Sequence, residues 1–182
     1  VYIVVWSTVV IIIAGGTVSA ESGVVADAIL SRGLTRHGYI ASKYVSRLAV
    51  VFAAVALVVL PTCYFASVHL NGDVSSGGVA WALAVTLIHM GFLIMLGVTF
   101  SIWFDSAIAS IAVLWVICYF LGAICSALDL AYLSPKRLIT DIGLVLSAQS
   151  PITSLWKVLV GYGLPAVLAG ILGMVGFARK DV

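Results

Sequence analysis

Three histidines and three cysteines are the residues best equipped for acid–base, nucleophilic or metal chemistry in this chain, and their spacing assembles none of these. His37, His69 and His89 fall at three different depths of the hydrophobic pattern. Serine and cysteine are plentiful, but a nucleophile needs a general base beside it, and no histidine is placed to serve one. Cys63, Cys118 and Cys125 lie in or at the edge of apolar segments without polar co-ligands, so they read as small buried hydrophobes. No GxxxxGK[ST] loop is present, and Gly15-Gly16-Thr17 is not a phosphate cradle. The expectation is a chain with no catalytic residue, metal or cofactor of its own.

One stretch does concentrate charge. ESGVVADAILSRGLTRHGYIASKY, residues 21–44, sits between the apolar opening VYIVVWSTVVIIIA and the apolar run LAVVFAAVALVVL. Val24, Val25, Ala28 and Ile29 recur at helical spacing and form one apolar face, with Glu21 and Asp27 elsewhere on the wheel. Glu21 and Ser22 suit a helix beginning, where free amide hydrogens favour negative charge. Gly33 can end that helix, and Thr35 can cap a second one running through Tyr39, Ile40 and Lys43 into the next apolar run. The chemistry offered is recognition. A short amphipathic helix of this kind rests on lipid or enters a groove of a soluble partner, and its residues alone do not separate the two.

The elements around this segment belong to a membrane. The 182 residues are 63% hydrophobic and 9% charged, with a mean hydropathy of +1.24. A soluble domain carries about 25% charge, so this chain cannot cover a globule with it. The apolar segments approach the ~20 residues that cross a bilayer as helix, and they lack the short alternating pattern of a barrel. A net charge of +2 is too small to argue for nucleic acid.

Five spanning helices are expected in an all-α bundle, at about residues 1–15, 46–67, 80–103, 106–126 and 160–178. Residues 68–79 form a turn-rich loop, and a very short connection at 103–106 carries Asp105, which reads as a cap for the following helix. Arg32, Arg36, Lys43 and Arg47 in or beside residues 16–45, and Arg179 and Lys180 in the tail, place both regions on the cytoplasmic side of a cell membrane. Four spans separate them, so parity agrees. Residues 127–159 then lie outside, although they carry Lys136, Arg137 and Lys157. They read either as a helix dipping into the outer leaflet and breaking at Ser150-Pro151, or as an external amphipathic loop. Because the sequence begins inside a hydrophobic segment, a further span before Val1 is expected.

Within the spans, His89 is an intramembrane ionisable group, either a substrate contact or a partner for a neighbouring helix. Trp115 and Tyr119 join it as candidates for a translocation pathway. Trp81 and Trp103 bracket one span as interface anchors. Gly91 and Gly97, and Gly161, Gly163, Gly170 and Gly173, would allow close helix approach.

The charged segment resembles the cytoplasmic loop of the ABC-2 family of ATP-binding-cassette permeases. In that family an acidic residue and a glycine open the loop, a helix follows, then Leu-Ser, a turn, an Arg, and a Lys entering the next span. This chain reads Glu21-Ser22-Gly23, Leu30-Ser31, Thr35-Arg36 and Ala41-Ser42-Lys43-Tyr44, departing at Arg32-Gly33-Leu34. The resemblance implies an ABC-2 type helical bundle, one transmembrane domain over 1–182, with five of six spans visible. It implies a coupling helix at 22–31 and a broken external helix pair at 130–158. Glu21, Gly23, Val24, Val25, Asp27, Ala28, Ile29, Leu30, Arg32, Arg36 and Lys43 would then contact a cytoplasmic ATPase dimer, which holds ATP and Mg. A second permease copy, or a homologous permease, would complete the assembly in membrane lipid. An ATP-independent channel or carrier, with 22–31 as an interfacial anchor, is the alternative.

Overall fold

A computed structural model describes residues 2–19, 33, 35–69, 75–128 and 155–179. The expected coupling helix at 22–31, with Glu21 and Arg32 beside it, lies outside these residues. So does the expected external pair at 130–158, except for residues 155–158, which open the last helix. Five helices follow one another: α1 (Tyr2–Gly15), α2 (Arg36–His69), α3 (Ser76–Trp103), α4 (Ala107–Ala127) and α5 (Leu155–Arg179). Four of them, α2 to α5, are long and apolar enough to cross a bilayer. The chain is a multi-span α-helical membrane protein. At 14 residues α1 rises only about 21 Å, short of the ~30 Å of hydrocarbon, so the described helices supply four full spans rather than five.

Local sequence accounts for the helix ends. Gly33 adopts φ +88°, a left-handed conformation that costs glycine nothing, and so turns the chain ahead of α2. Thr35 then caps α2: its Oγ1 accepts from the Gly38 amide at 3.1 Å and its carbonyl from the Tyr39 amide at 3.0 Å. α2 therefore starts at Arg36, well before the apolar run, and continues unbroken past Pro61. Ser75 caps α3 through the Gly78 amide at 2.9 Å. The expected cap of α4 moves by one residue. Ser106, not Asp105, occupies the N-cap position, because the Ser110 amide closes the first turn on the Ser106 carbonyl at 3.1 Å.

α3 is the hub and packs against each of the other four helices, most extensively against α5 and then α1. Met90, Leu93, Ile94, Val98 and Ile102 of α3 are almost wholly enclosed. The outer helices instead turn large apolar side chains outward, with Leu57 on α2, Ile108 on α4 and Leu164 on α5 all exposed. A helix apolar all round suits hydrocarbon on one side and protein on the other. Trp81 corrects the interface-belt expectation. It is buried in the core, whereas Trp103 is half exposed, so only Trp103 is placed as an anchor.

One end of the bundle gathers the C-terminal ends of α1, α3 and α5 with the N-terminal ends of α2 and α4. Tyr39 stacks on Phe177 at 5.8 Å, and the Ser110 hydroxyl donates to the Gly15 carbonyl. The residues flanking the charged segment and the basic end of α5 thus share one end, as four intervening spans demand.

Close approach depends on missing side chains. A Cβ on Gly97 would lie 2.5 Å from the Ala14 Cβ and 3.3 Å from the Gly15 backbone nitrogen. Without hydrophobic drive between helices in lipid, such backbone proximity and its dispersion contacts hold the pair together. Gly163, by contrast, faces open space. Gly97→Val should destabilise the bundle by roughly 1–3 kcal/mol through overpacking of α1 on α3. Gly163→Ala should meet no clash and raise stability by up to about 1 kcal/mol through helix propensity. Reversible unfolding in mixed detergent micelles measures both, and equal midpoints for the two variants would refute the assignment.

Candidate functional site

Two polar residues at the end of α3 organise the place where the charged segment leaves and rejoins the bundle. Thr99 and Ser101 stand two positions apart, about 200° around the helix, so they meet different neighbours. Ser101 faces the outgoing chain. Its Oγ accepts from the backbone amides of Val18 at 2.7 Å and Ser19 at 2.9 Å, and lies 3.3 Å from the Ser19 hydroxyl. Residues 16–19 have just left α1 as a turn; the Thr17 amide folds back onto the Ala14 carbonyl at 3.2 Å, and the next two amides take partners from elsewhere. α3 supplies them.

Thr99 faces the returning chain. The Tyr44 hydroxyl of α2 lies 2.9 Å from Thr99 Oγ1, which is also 2.8 Å from the carbonyls of Met95 and Ala169. A threonine hydroxyl has one proton. Shared between the two carbonyls, it leaves Thr99 Oγ1 as acceptor and Tyr44 as donor. One hydroxyl therefore joins α2, α3 and α5. Gly173 on α5 makes the space, since a Cβ there would stand 2.2 Å from the Tyr44 oxygen. The chain is thus fastened to a single stretch of α3 on either side of the connector: at Val18 and Ser19 just before it, and at Tyr44, nine residues beyond Thr35 along α2.

The other predicted residues distribute as follows. Arg36 is the first residue of α2 and is half-buried; Lys43 lies one turn before Arg47, with its ammonium 5.2 Å from the Tyr39 ring centroid. His89 is buried in the middle of α3, where its Nε2 sits 3.5 Å from the Ser7 hydroxyl, the outer limit of a hydrogen bond. The Tyr162 ring meets it edge-on at 5.2 Å, and its Nδ1 has no hydrogen-bond partner among the described residues. Trp115 is exposed on α4, while Tyr119 lies on the same helix one turn later. His89 is thereby grouped with Ser7 and Tyr162, residues on α1 and α5. Among the described residues, no three of His, Cys, Asp and Glu come together in a way that could hold a metal ion.

Thr99 and Ser101 were not singled out by the sequence pattern, and Tyr44 entered only as the end of Ala41-Ser42-Lys43-Tyr44, although a signal for the hydroxyl pair exists. A hydroxyl pair two positions apart in an otherwise apolar helix end, VTFSIW, puts a polar atom on each of two faces. In hydrocarbon each hydroxyl needs a partner, either a carbonyl one turn back in its own helix or a group of another element.

Ser101→Ala should leave the Val18 and Ser19 amides without their acceptor. The cost of a buried unsatisfied group is about 1–3 kcal/mol, and amide exchange at both positions should rise accordingly. Site-resolved hydrogen exchange on the reconstituted chain checks this, with unchanged protection counting against the clamp.

No family model matches the chain, and no curated protein or solved structure is significantly similar to it.

Proposed function

We propose that this chain is the membrane-spanning permease subunit of an ATP-driven transporter of the ABC-2 type, working as an exporter. A separate cytoplasmic ATPase dimer would bind ATP and Mg and perform the hydrolysis. A second permease subunit, the same or homologous, would complete the pathway. The observation that carries the reading is the double fastening of the connector to α3 through Ser101 and Thr99. The amphipathic stretch 22–31 lies within that connector. A load passed along the connector would reach α1, α2, α3 and α5 through hydrogen bonds at a helix end. Such an anchorage suits a lever better than it suits a float on lipid.

In this reading Val24, Val25, Ala28, Ile29 and Leu30 pack into a groove on the ATPase. Glu21, Asp27, Arg32 and Arg36 set orientation and partner choice, which is where charge contributes most at an interface. Gly23 opens the helix and Lys43 marks the return to the membrane. Nucleotide-driven movement of the partner would shift the population between two arrangements of the bundle. With its sidedness set by the basic residues, the connector and the C-terminus lie in the cytoplasm.

A specific observation favours a second reading. His89 is an ionisable group enclosed in the middle of the hub helix, a position that also suits an ATP-independent carrier or channel. In that case His89, with Trp115 and Tyr119, would touch the moving solute, and 22–31 would serve only as an interfacial anchor.

Affinity purification of the chain from its own membranes separates the two. A Walker-A ATPase should copurify, and Ile29→Asp or Val25→Asp should lower its recovery and its transport-stimulated turnover by about tenfold, the equivalent of ~1.4 kcal/mol at the interface. Arg36→Glu should cost less, about 0–1 kcal/mol, as exposed pairs do. Recovery of a folded, transport-active protein with no ATPase would overturn the reading in favour of the carrier.

A further inference from the structure

Arg47 stands where a helix that crosses the membrane should not carry a cation. It is the last residue before the apolar run 48–60, and α2 contains no Asp or Glu to neutralise it. By spacing it belongs to the packed face of α2, since Ile40, Tyr44, Arg47 and Val51 follow one another at four, three and four residues, and the other three are buried. Tyr44, one turn earlier, is the residue that reaches Thr99 and the Gly173 gap. Arg47 therefore lies about 4.5 Å further along the axis than that junction, towards the apolar run. Its Nε is buried and has no hydrogen-bond partner among the described residues, while the residue as a whole is half-buried and so reachable from outside.

A guanidinium stays charged in a protein, so it cannot escape this situation by losing its proton. A buried donor on a permanent cation calls for an anionic acceptor. Arg36 and Lys43 lie within about 40° of Arg47 on the helical wheel, spread over about 16 Å of α2. Lys43 is already engaged with the Tyr39 ring. These two add positive potential along the same face, and Arg47 offers the directional fork. Planar, bidentate donors of this kind match phosphate oxygens.

We propose that Arg47 binds a phosphate oxyanion at the Thr35 end of the bundle. The group is the phosphodiester of an anionic lipid of that leaflet, or the phosphate of a soluble organic ester reaching the same place. Arg47 is not among the residues assigned to the ATPase contact, and its binding of phosphate does not require the transporter reading.

The test uses the whole chain in detergent, without any ATPase, and native mass spectrometry. Dioctanoyl phosphatidylglycerol, dioctanoylglycerol and sn-glycerol 1-phosphate are the three probes. Wild type should hold the phosphatidylglycerol about fivefold or more above dioctanoylglycerol, Arg47→Gln should lose that preference, and Arg47→Lys should keep part of it by charge alone. Retention of glycerol phosphate by wild type and its loss in Arg47→Gln supports the proposal with a soluble source; preference for the lipid alone supports it with a headgroup source. Equal retention of all three probes by wild type overturns it, and that comparison stands even if Arg47→Gln fails to fold. Undiminished preference in a folded Arg47→Gln overturns it as well. Copurification of an ATPase is a separate measurement, so either idea can fail while the other survives.

Discussion

The structure depends on one constraint: polar backbone groups that leave a helix inside a membrane bundle must find partners in the protein, because hydrocarbon has none to offer. α1 ends at Gly15, packed against the first turn of α4 at one end of the bundle, and its departing chain is received by side chains. Ser110 serves the Gly15 carbonyl, and Ser101 serves the amides of Val18 and Ser19. Thr99 does a related service where α2 comes in. Individually, hydrogen bonds between membrane helices contribute about 0.6 kcal/mol on average, with the strongest near 1.7. Their importance here is geometric. They decide where a charged connector is attached.

Packing around these bonds is permissive in one place and strict in others. Gly97 against Ala14, Gly170 against the Met95 side chain, and Gly173 against the Tyr44 hydroxyl are contacts that admit no Cβ without movement. Each lies on α3 or on α5 facing it. The outer faces of α2, α4 and α5 are lined with exposed aliphatic side chains, where volume matters little. Gly15 of α1 against Ile111 of α4 is equally close, so tight packing also ties the outer helix α4 to the bundle.

The ionisable groups show the same division. His89 is enclosed at mid-helix with Ser7 and the Tyr162 ring, each from a different neighbouring helix. Arg47 sits nearer the connector, on the face of α2 that carries Tyr44. One is a polar group shared by three helices, the other a cation beside a joint. Both are placed by the α3-centred packing rather than by their own sequence neighbours.

Much of the fold was legible because it follows from local rules. Unbroken apolar runs of sufficient length read as spanning helices, so α2 to α5 were anticipated within a few residues. The start of α2 was legible too: Thr35 was expected to cap a helix running through Tyr39, Ile40 and Lys43 into the apolar run, and the polar residues Arg36–Ser46 do extend it outward from that cap. The cap position was placed one residue early, at Asp105, because only backbone geometry shows that Ser106 begins the turn, which it does through its carbonyl and without a side-chain bond. Trp81 was misjudged because an aromatic residue at a span end suits a membrane interface and a protein core equally well. Which of the two it meets depends on neighbouring helices.

By itself the sequence determined an all-α membrane chain, the approximate extent of its long helices, and a charged amphipathic segment between two of them. Those properties reside in hydropathy and helical period, which act over a few turns. Only the tertiary structure decided that Ser101 receives the chain before that segment and Thr99 meets Tyr44 after it, that Gly173 makes room for Tyr44, and that His89 meets Ser7 and Tyr162. Such contacts join residues far apart in the chain. Their partners are chosen by how helices rotate and approach, which no local pattern encodes.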